Sequence, residues 1–251
     1  MNALFSFFVA ATLVFSYGSI EQAPRDAFFA TPEAAVEAFA ECVADADFEG
    51  ALGCMSASVG AEAYDMAEMM EWIQGYVITL DMPLPSDYAA YDGLNEALAL
   101  RGDAEGIAAF ISSLLIRPGF PDVAMHDLRD GALEIEDGEA MPVDELIARY
   151  DPSRLAGLEL KGIYRYEPED AAPDYARFYA IYGPEEVWEG LCVYEFEGSE
   201  YVHAYIAFRY PEGWRIFDFG STLLRAPLFG AAVPLGEFQY DLSGPDFVRV
   251  Q

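Results

Sequence analysis

The chain is poor in basic residues. It contains 13 lysine and arginine residues against 44 aspartate and glutamate residues, for a formal net charge of −31, and Lys161 is its one lysine. A surface this acidic repels phosphate backbones and anionic lipid headgroups, so we expect neither nucleic acid nor a lipid surface among its partners. The charge favours cations or basic partners, although an acidic surface that is simply solvated is the commoner explanation.

Motifs for metal, cofactor or nucleophilic chemistry are also missing. The sequence has no HExxH, no GxSxG, no phosphate-binding loop and no dinucleotide fingerprint, and its two histidines are too few for most zinc sites. Residues 45–50 (DADFEG) match the first half of a calcium loop, but Ser56 stands where that loop needs a glutamate. We therefore interpret this segment as a turn between helices, and we expect no metal and no cofactor.

Cysteine is scarce, with three residues in the chain. They are too few for a disulfide framework and too scattered for a metal motif. If the protein is exported, Cys42 and Cys54 can bridge two neighbouring helices while Cys192 stays buried on a strand. The alternative is that all three are buried thiols that act as small hydrophobic side chains.

Residues 3–17 (ALFSFFVAATLVFSY) form the longest apolar run near the beginning of the sequence. The run is short for a membrane span and suits the core of a signal peptide, with cleavage after Gly18. No lysine or arginine precedes it, so an uncleaved N-terminal anchor or a buried first helix stays open. We predict a signal peptide over 1–18, a linker over 19–30, one domain over 31–251 and an extracytoplasmic, secreted or envelope-associated location.

Helical signals dominate the first half of the predicted domain. Thr31 is a good N-cap and Pro32 suits the first helical position, while Val36, Phe39 and Val43 form a core-facing stripe. A second short helix follows Asp47. Residues 61–116 are predicted to be helical with a break at 83–87, and residues 221–251 to be an irregular tail.

The pattern of residues 187–220 predicts three antiparallel strands joined by two tight turns. A turn at Gly198-Ser199 places Tyr194 opposite His203 and Trp188 opposite Arg209. A second turn over 210–214 places Tyr210 opposite Trp214. One face of the sheet is then aromatic and carries Trp188, Cys192, Tyr194, Phe196, Tyr201, His203, Tyr205, Arg209, Arg215, Phe217 and Phe219. The other is aliphatic and carries Leu191, Val193, Val202, Ala204, Ile206, Phe208 and Ile216, together with Asp218 opposite Ile206.

The fold class predicted from this order is α+β, with N-terminal helices packed on a curved antiparallel sheet. The opening TPEAAVEAFAECVADADFEGALGCMS and the closing GWRIFDFG resemble the nuclear transport factor two-like superfamily, with its SnoaL-like and cystatin-like cones. The resemblance implies a cone of sheet around helices, in which 61–116 is a helical insertion.

Residues 31–56, 143–167 and 175–220 also resemble a group of uncharacterised bacterial exported proteins that are often lipid-anchored. The shared patterns include Asp151-Pro-Ser-Arg-Leu155 and Ile181-Tyr-Gly183. The chain departs from many members because it lacks a lipid-attachment cysteine near residue 20. These motifs are structural, so the resemblance transfers no catalytic residue.

The predicted ligand site is the aromatic face, with Trp188 and Arg209 as a cation–π pair. We expect an exported, non-enzymatic domain that binds a small apolar ligand or a protein partner there. The alternative is a cone-type enzyme, isomerase- or hydrolase-like, in which His203 is the acid or base beside its tyrosines. The ligand-binding residues in this prediction are Trp188, Tyr194, Tyr201, His203, Tyr205 and Arg209.

Overall fold

A computed structural model describes residues 28–73, 88–116, 128–129, 132–134, 140–167, 173–219 and 230–251. No helix within these ranges is both long enough and apolar enough to cross a membrane. The predicted signal peptide, the predicted break at 83–87 and His126 lie outside the described residues.

The first two helices begin directly after the N-cap residues that the sequence predicts. The side chain of Thr31 accepts a hydrogen bond from the backbone N–H of Ala34 at 3.2 Å, and that of Asp47 accepts one from Gly50 at 2.9 Å. Short 3-10 turns cover Ala89–Tyr91, Pro152–Gly157 and Leu235–Glu237. The α-helices are Pro32–Ala44 (α1), Phe48–Gly53 (α2), Ala57–Ala63 (α3), Met66–Ile73 (α4), Asp92–Leu115 (α5), Val143–Arg149 (α6) and Pro173–Ala180 (α7).

Most of the strands belong to one curved antiparallel sheet. The strands are Leu128–Arg129 (β1), Ala132–Glu134 (β2), Ala140–Pro142 (β3), Glu159–Tyr166 (β4), Glu186–Phe196 (β5), Ser199–Tyr210 (β6), Gly213–Asp218 (β7), Val233–Pro234 (β8) and Phe247–Arg249 (β9). The order in the main sheet is β7-β6-β5-β4-β9, and β8 pairs with the beginning of β6, while β1, β2 and β3 form a separate small sheet. The mixed α+β class is confirmed.

The predicted register of the β5–β6 hairpin is wrong, because the two-residue turn lies one residue earlier in the chain than predicted. Phe196 pairs with Ser199, so the loop is Glu197-Gly198, and both loop residues have positive φ, at 49° and 80°. A two-residue turn of this kind needs positive φ at both central positions, and glycine fills the second of them. Tyr194 therefore lies opposite Tyr201, and His203 opposite Cys192. Because every partner moves by two residues, the two faces keep their predicted composition.

The same shift separates the predicted cation–π pair. Trp188 lies opposite Ala207, and Arg209 lies opposite Glu186. Two ion pairs hold the Arg209 guanidinium instead, one to Glu185 at 3.1 Å and one to Glu186 at 3.0 Å.

The predicted pairing of β6 with β7 is also wrong over most of its length. Tyr210 pairs with Gly213, and Ala207 pairs with Ile216, which places Ile216 on the aromatic face. Arg215 and Phe217 move to the other face, where Arg215 lies opposite Phe208 and the Phe217 ring stacks on Phe208 with centroids 4.0 Å apart. The cause is a two-residue Pro211-Glu212 loop in place of the expected three-residue loop.

A register shift between Ile206 and Ala207 then restores the predicted pairing at the end of β7. Asp218 lies opposite Ile206 as predicted, and Phe219 packs with the aromatic face.

Both faces of the sheet are covered. Helices α1 and α5 pack on the aromatic face, where Phe39 and Phe110 are fully buried against Tyr205 and Tyr194. On the aliphatic face, the C-terminal segment packs Phe247 and neighbouring side chains against Leu191 and Val202. Aromatic side chains of α7 and its C-terminal turn cover the rest, around Phe208. The predicted stripe of α1, namely Val36, Phe39 and Val43, is fully buried.

Candidate functional site

His203 lies inside the core. Its ring stacks on Phe110 with centroids 4.3 Å apart and meets the edge of Tyr205 at 4.6 Å. Its Nε2 lies 2.8 Å from the carbonyl oxygen of Gly230. A carbonyl oxygen can only accept a hydrogen bond, so Nε2 of His203 carries the proton and Nδ1 is unprotonated. Nδ1 is buried and has no hydrogen-bond partner among the described residues.

Burial lowers the pKa of His203 to about 3, and the hydrogen bond to Gly230 offsets only part of that effect. The imidazole is therefore neutral at ordinary pH. With an exposure of 0 %, it has no contact with solvent through which to exchange a proton. A general base needs both an accessible lone pair and a reachable pKa, and this geometry supplies neither.

The tyrosines of the aromatic face are equally enclosed. The hydroxyls of Tyr194 and Tyr205 share a hydrogen bond of 2.5 Å, and burial raises the pKa of both well above the usual range. Tyr201 and Trp188 are also buried, at 2 % and 4 % exposure. Helices α1 and α5 occupy the space beside this face. A ligand would reach the three tyrosines and His203 only by displacing the helices, whereas Trp188 borders a cleft that is described below.

Arg209 is the sixth predicted site residue, and it lies at the surface. Two clefts open beside it and beside Trp188, at the end of the sheet where β6 turns into β7. The larger has a volume of about 560 Å³ and is lined by Phe28, Phe29, Ala30, Glu185, Arg209, Tyr210, Pro211, Glu212, Gly213 and Trp214. The smaller has a volume of about 210 Å³ and is lined by Thr31, Pro32, Glu33, Arg165, Glu186, Val187, Trp188 and Trp214.

Trp214 belongs to both clefts, and its position follows from local backbone pairing. The backbone N–H of Phe29 donates to the carbonyl of Trp214 at 3.1 Å, and the reverse bond is 2.8 Å. Gly213 permits the close approach, because its φ is 141° and an added Cβ would lie 2.7 Å from the carbonyl oxygen of Phe29. The sequence did not predict this site, because Phe28 and Phe29 lie in the predicted linker and because the predicted register of the β6–β7 hairpin was wrong.

The larger cleft combines aromatic rings with carboxylates. Glu212 is exposed and forms no ion pair with another described residue, whereas Glu185 is bound to Arg209. The Phe28 ring already holds one guanidinium, since the Arg215 side chain lies over it at 4.4 Å from the centroid. Aromatic faces and carboxylates together suit an ammonium or guanidinium group.

A second polar cluster consists of Asp103 on α5 and of Arg215 and Asp218 on the edge strand β7. Burial, followed by the charge of Asp218, raises the pKa of Asp103 well above its usual range. The Oδ2 atom of Asp103 is buried and has no hydrogen-bond partner in the described part of the chain. The buried Arg215 donates to the carbonyl of Met55 at 2.9 Å. Neither Asp103 nor Asp218 lines either of the two clefts described above.

The described residues contain no group of three or more histidine, cysteine, aspartate or glutamate side chains placed to hold a metal ion. Within the half calcium loop at 45–50, residues 45–47 form the turn between α1 and α2, and residues 48–50 begin α2, which Asp47 caps.

Comparisons with known proteins support the fold and go no further. No family model matches the chain, and no curated protein matches it. A crystal structure of a cystatin-like protein from Ruminococcus gnavus is similar, with a TM-score of 0.51 and 17% sequence identity. The match covers 84% of this chain, which spans about 42% of that protein. The chain therefore has the cone-like architecture of a cystatin-like fold, in agreement with the predicted cone.

Proposed function

We propose that this chain is an exported, non-enzymatic binding domain that holds a cationic group of a protein partner in the larger cleft. The observation that carries the proposal is the meeting of aromatic rings and carboxylates around Trp214 and Glu212. An arginine or lysine side chain of the partner would lie against the rings and pair with Glu212.

The charge balance supports a cationic partner. The guanidinium of Arg209 is already neutralised by Glu185 and Glu186, so it adds no free positive charge to the cleft. The chain as a whole carries a net charge of −31, which would steer a basic partner towards it.

Export is supported by the apolar run at 3–17, by its small residues near Gly18 and by the resemblance to bacterial exported proteins. The burial of His203 and its low pKa favour binding over acid–base catalysis, because the alternative enzyme would need that imidazole open to a substrate.

The test is a titration with a capped peptide of six arginines, followed by calorimetry and by tryptophan fluorescence at low ionic strength. Glu212→Lys should weaken binding roughly tenfold, since it replaces an attractive charge with a repulsive one inside the cleft. Glu200→Lys is the matched control, because Glu200 is also an exposed glutamate on the sheet but lies at the opposite end of β6.

The control should bind within about twofold of the unchanged protein if binding is local to the cleft. Equal weakening by both substitutions would mean that the peptide responds to the general acidic surface, and the proposed site would be refuted. The absence of any binding at low salt would refute the proposal as well.

A further inference from the structure

Cys42 and Cys54 are twelve positions apart in sequence, but their thiols meet in space. Cys42 lies in the last part of α1, and Cys54 is the C-cap of α2. The turn between the two helices is tight, because the backbone N–H of Asp47 donates to the carbonyl of Cys42 at 2.8 Å. The helices therefore double back and present the two side chains to each other.

Both sulfur atoms lie beside the same glycine. The Cys54 thiol donates to the carbonyl oxygen of Gly50 at 3.4 Å. A Cβ placed on Gly50 would lie 2.8 Å from the Cys42 sulfur, so only glycine leaves room for it there. The two thiols are close enough for each to influence the pKa of the other.

We propose that Cys42 and Cys54 are an oxidisable pair, which forms a disulfide between α1 and α2 when the folded chain meets a disulfide oxidant. This inference does not depend on the proposed function, because neither cysteine lines either of the two clefts described above. Cys192 is not part of the pair, since it is fully buried on β5 opposite His203.

The oxidant is a compound or protein of the class R–S–S–R, such as oxidised glutathione. The Cys42 thiolate attacks one sulfur of the oxidant, forms a mixed disulfide and expels the first R–S⁻. The Cys54 thiolate then attacks the Cys42 sulfur and expels the second R–S⁻. The two cysteine protons end on the two leaving thiolates, so two thiols are oxidised and one R–S–S–R becomes two R–SH.

Exposure sets this order of attack. Cys42 is half-buried, whereas Cys54 is 3 % exposed, so a bulky oxidant reaches Cys42 first. Burial raises the pKa of Cys54 to about 12, and burial together with Asp47 raises that of Cys42. Few thiolates are therefore present at neutral pH, which suits a slow structural oxidation better than a rapid redox sensor.

The disulfide would act on the edge of the main sheet. The carbonyl of Cys54 accepts the N–H of Ile216 at 3.0 Å, and the carbonyl of Met55 accepts Arg215 at 2.9 Å. This segment covers strand β7, which is an edge strand with backbone groups to protect. A disulfide between α1 and α2 would therefore hold the segment of Cys54 and Met55 against β7.

The test uses the full chain, reduced and then incubated with oxidised glutathione without denaturant. The protein is then denatured and alkylated with iodoacetamide, and its intact mass is measured by mass spectrometry. The reduced chain should accept three alkyl groups, one per cysteine, and the oxidised chain should accept one, on Cys192. Digestion should yield a peptide pair that joins Cys42 to Cys54 and separates on reduction.

Cys192→Ser is the matched control and should still form the bridge, whereas Cys42→Ser and Cys54→Ser should not. The thermal midpoint of the oxidised protein should exceed that of the reduced protein by roughly 5 °C or more. That difference should persist in Cys192→Ser and vanish in Cys42→Ser.

Three alkylated cysteines after oxidation would overturn the proposal, and so would a stable glutathione adduct on Cys42 or a bridge that includes Cys192. Formation of the Cys42–Cys54 bridge only in denaturant would overturn it too, because the folded contact would then play no part.

Discussion

Lowering the pH should destabilise this domain through His203. The folded protein holds the pKa of the imidazole at about 3, against 6.5 for an unperturbed histidine. Because the folded value is the lower one, the stabilising contribution is fully present above pH 6.5. It is lost progressively as the pH falls from 6.5 towards 3.

The magnitude follows from the two pKa values. Below pH 6.5 the unfolded chain binds a proton on His203 that the folded chain does not bind. Each further pH unit then lowers the free energy of unfolding by about 1.4 kcal/mol. The loss amounts to about 2 kcal/mol at pH 5 and about 3 kcal/mol at pH 4.

The physical cause lies in the surroundings of the imidazole. A proton on Nδ1 would create a buried charge whose N–H has no acceptor among the described residues. The attraction between a charged imidazole and the stacked Phe110 ring would offset only a small part of the free energy needed to bury that charge.

The assay compares the unchanged residue with His203→Gln by urea unfolding, followed by tryptophan fluorescence at pH 7.5, 6, 5 and 4.5. Both proteins carry His126→Gln, so that His203 is the one histidine that titrates. Carboxylates contribute alike to both and cancel in the difference. The free-energy difference between the two proteins should shrink by about 2 kcal/mol from pH 7.5 to pH 5. A difference that stays constant over this range would show that the imidazole is charged or exposed in the folded state, and the argument would fail.

Three further predictions concern a packed ring, a buried carboxyl group and a turn glycine, the last with a control substitution, and each is measured by urea unfolding. Phe39→Ala should lower the free energy of unfolding by roughly 3–5 kcal/mol, because the ring is fully buried between Phe110 and Tyr205; a loss below about 1 kcal/mol would contradict that burial. Asp103→Asn should gain stability relative to the unchanged protein as the pH rises above 4, because burial raises the folded pKa of this carboxyl and its ionised form is disfavoured; a pH-independent difference would refute it. Gly198→Ala should cost about 1 kcal/mol because φ is 80° there, whereas Gly236→Ala, with open space around it, should be near neutral; equal effects would exclude the turn as the cause.

Much of the fold could be predicted from sequence because its signals are local. The Thr31 cap and Pro32 mark the first turn of α1, and the spacing of Val36, Phe39 and Val43 marks its buried face. Alternation along β5 and β6 predicts which side chains share a face, and that composition survives a shift of every partner by two residues. These features depend on neighbours within a few positions of the chain.

Only the tertiary structure decided that the aromatic face is a buried core surface and not a ligand site. His203 is buried because Phe110, from a helix 93 positions earlier, lies flat on its ring, and no local pattern carries that contact. The turn residue that takes positive φ, and the loop length before Trp214, are choices between conformations that differ by little energy locally. Packing across the whole sheet selects between them. The cleft at Trp214 arises in the same way, because it joins segments that become neighbours only when the chain has closed around its core.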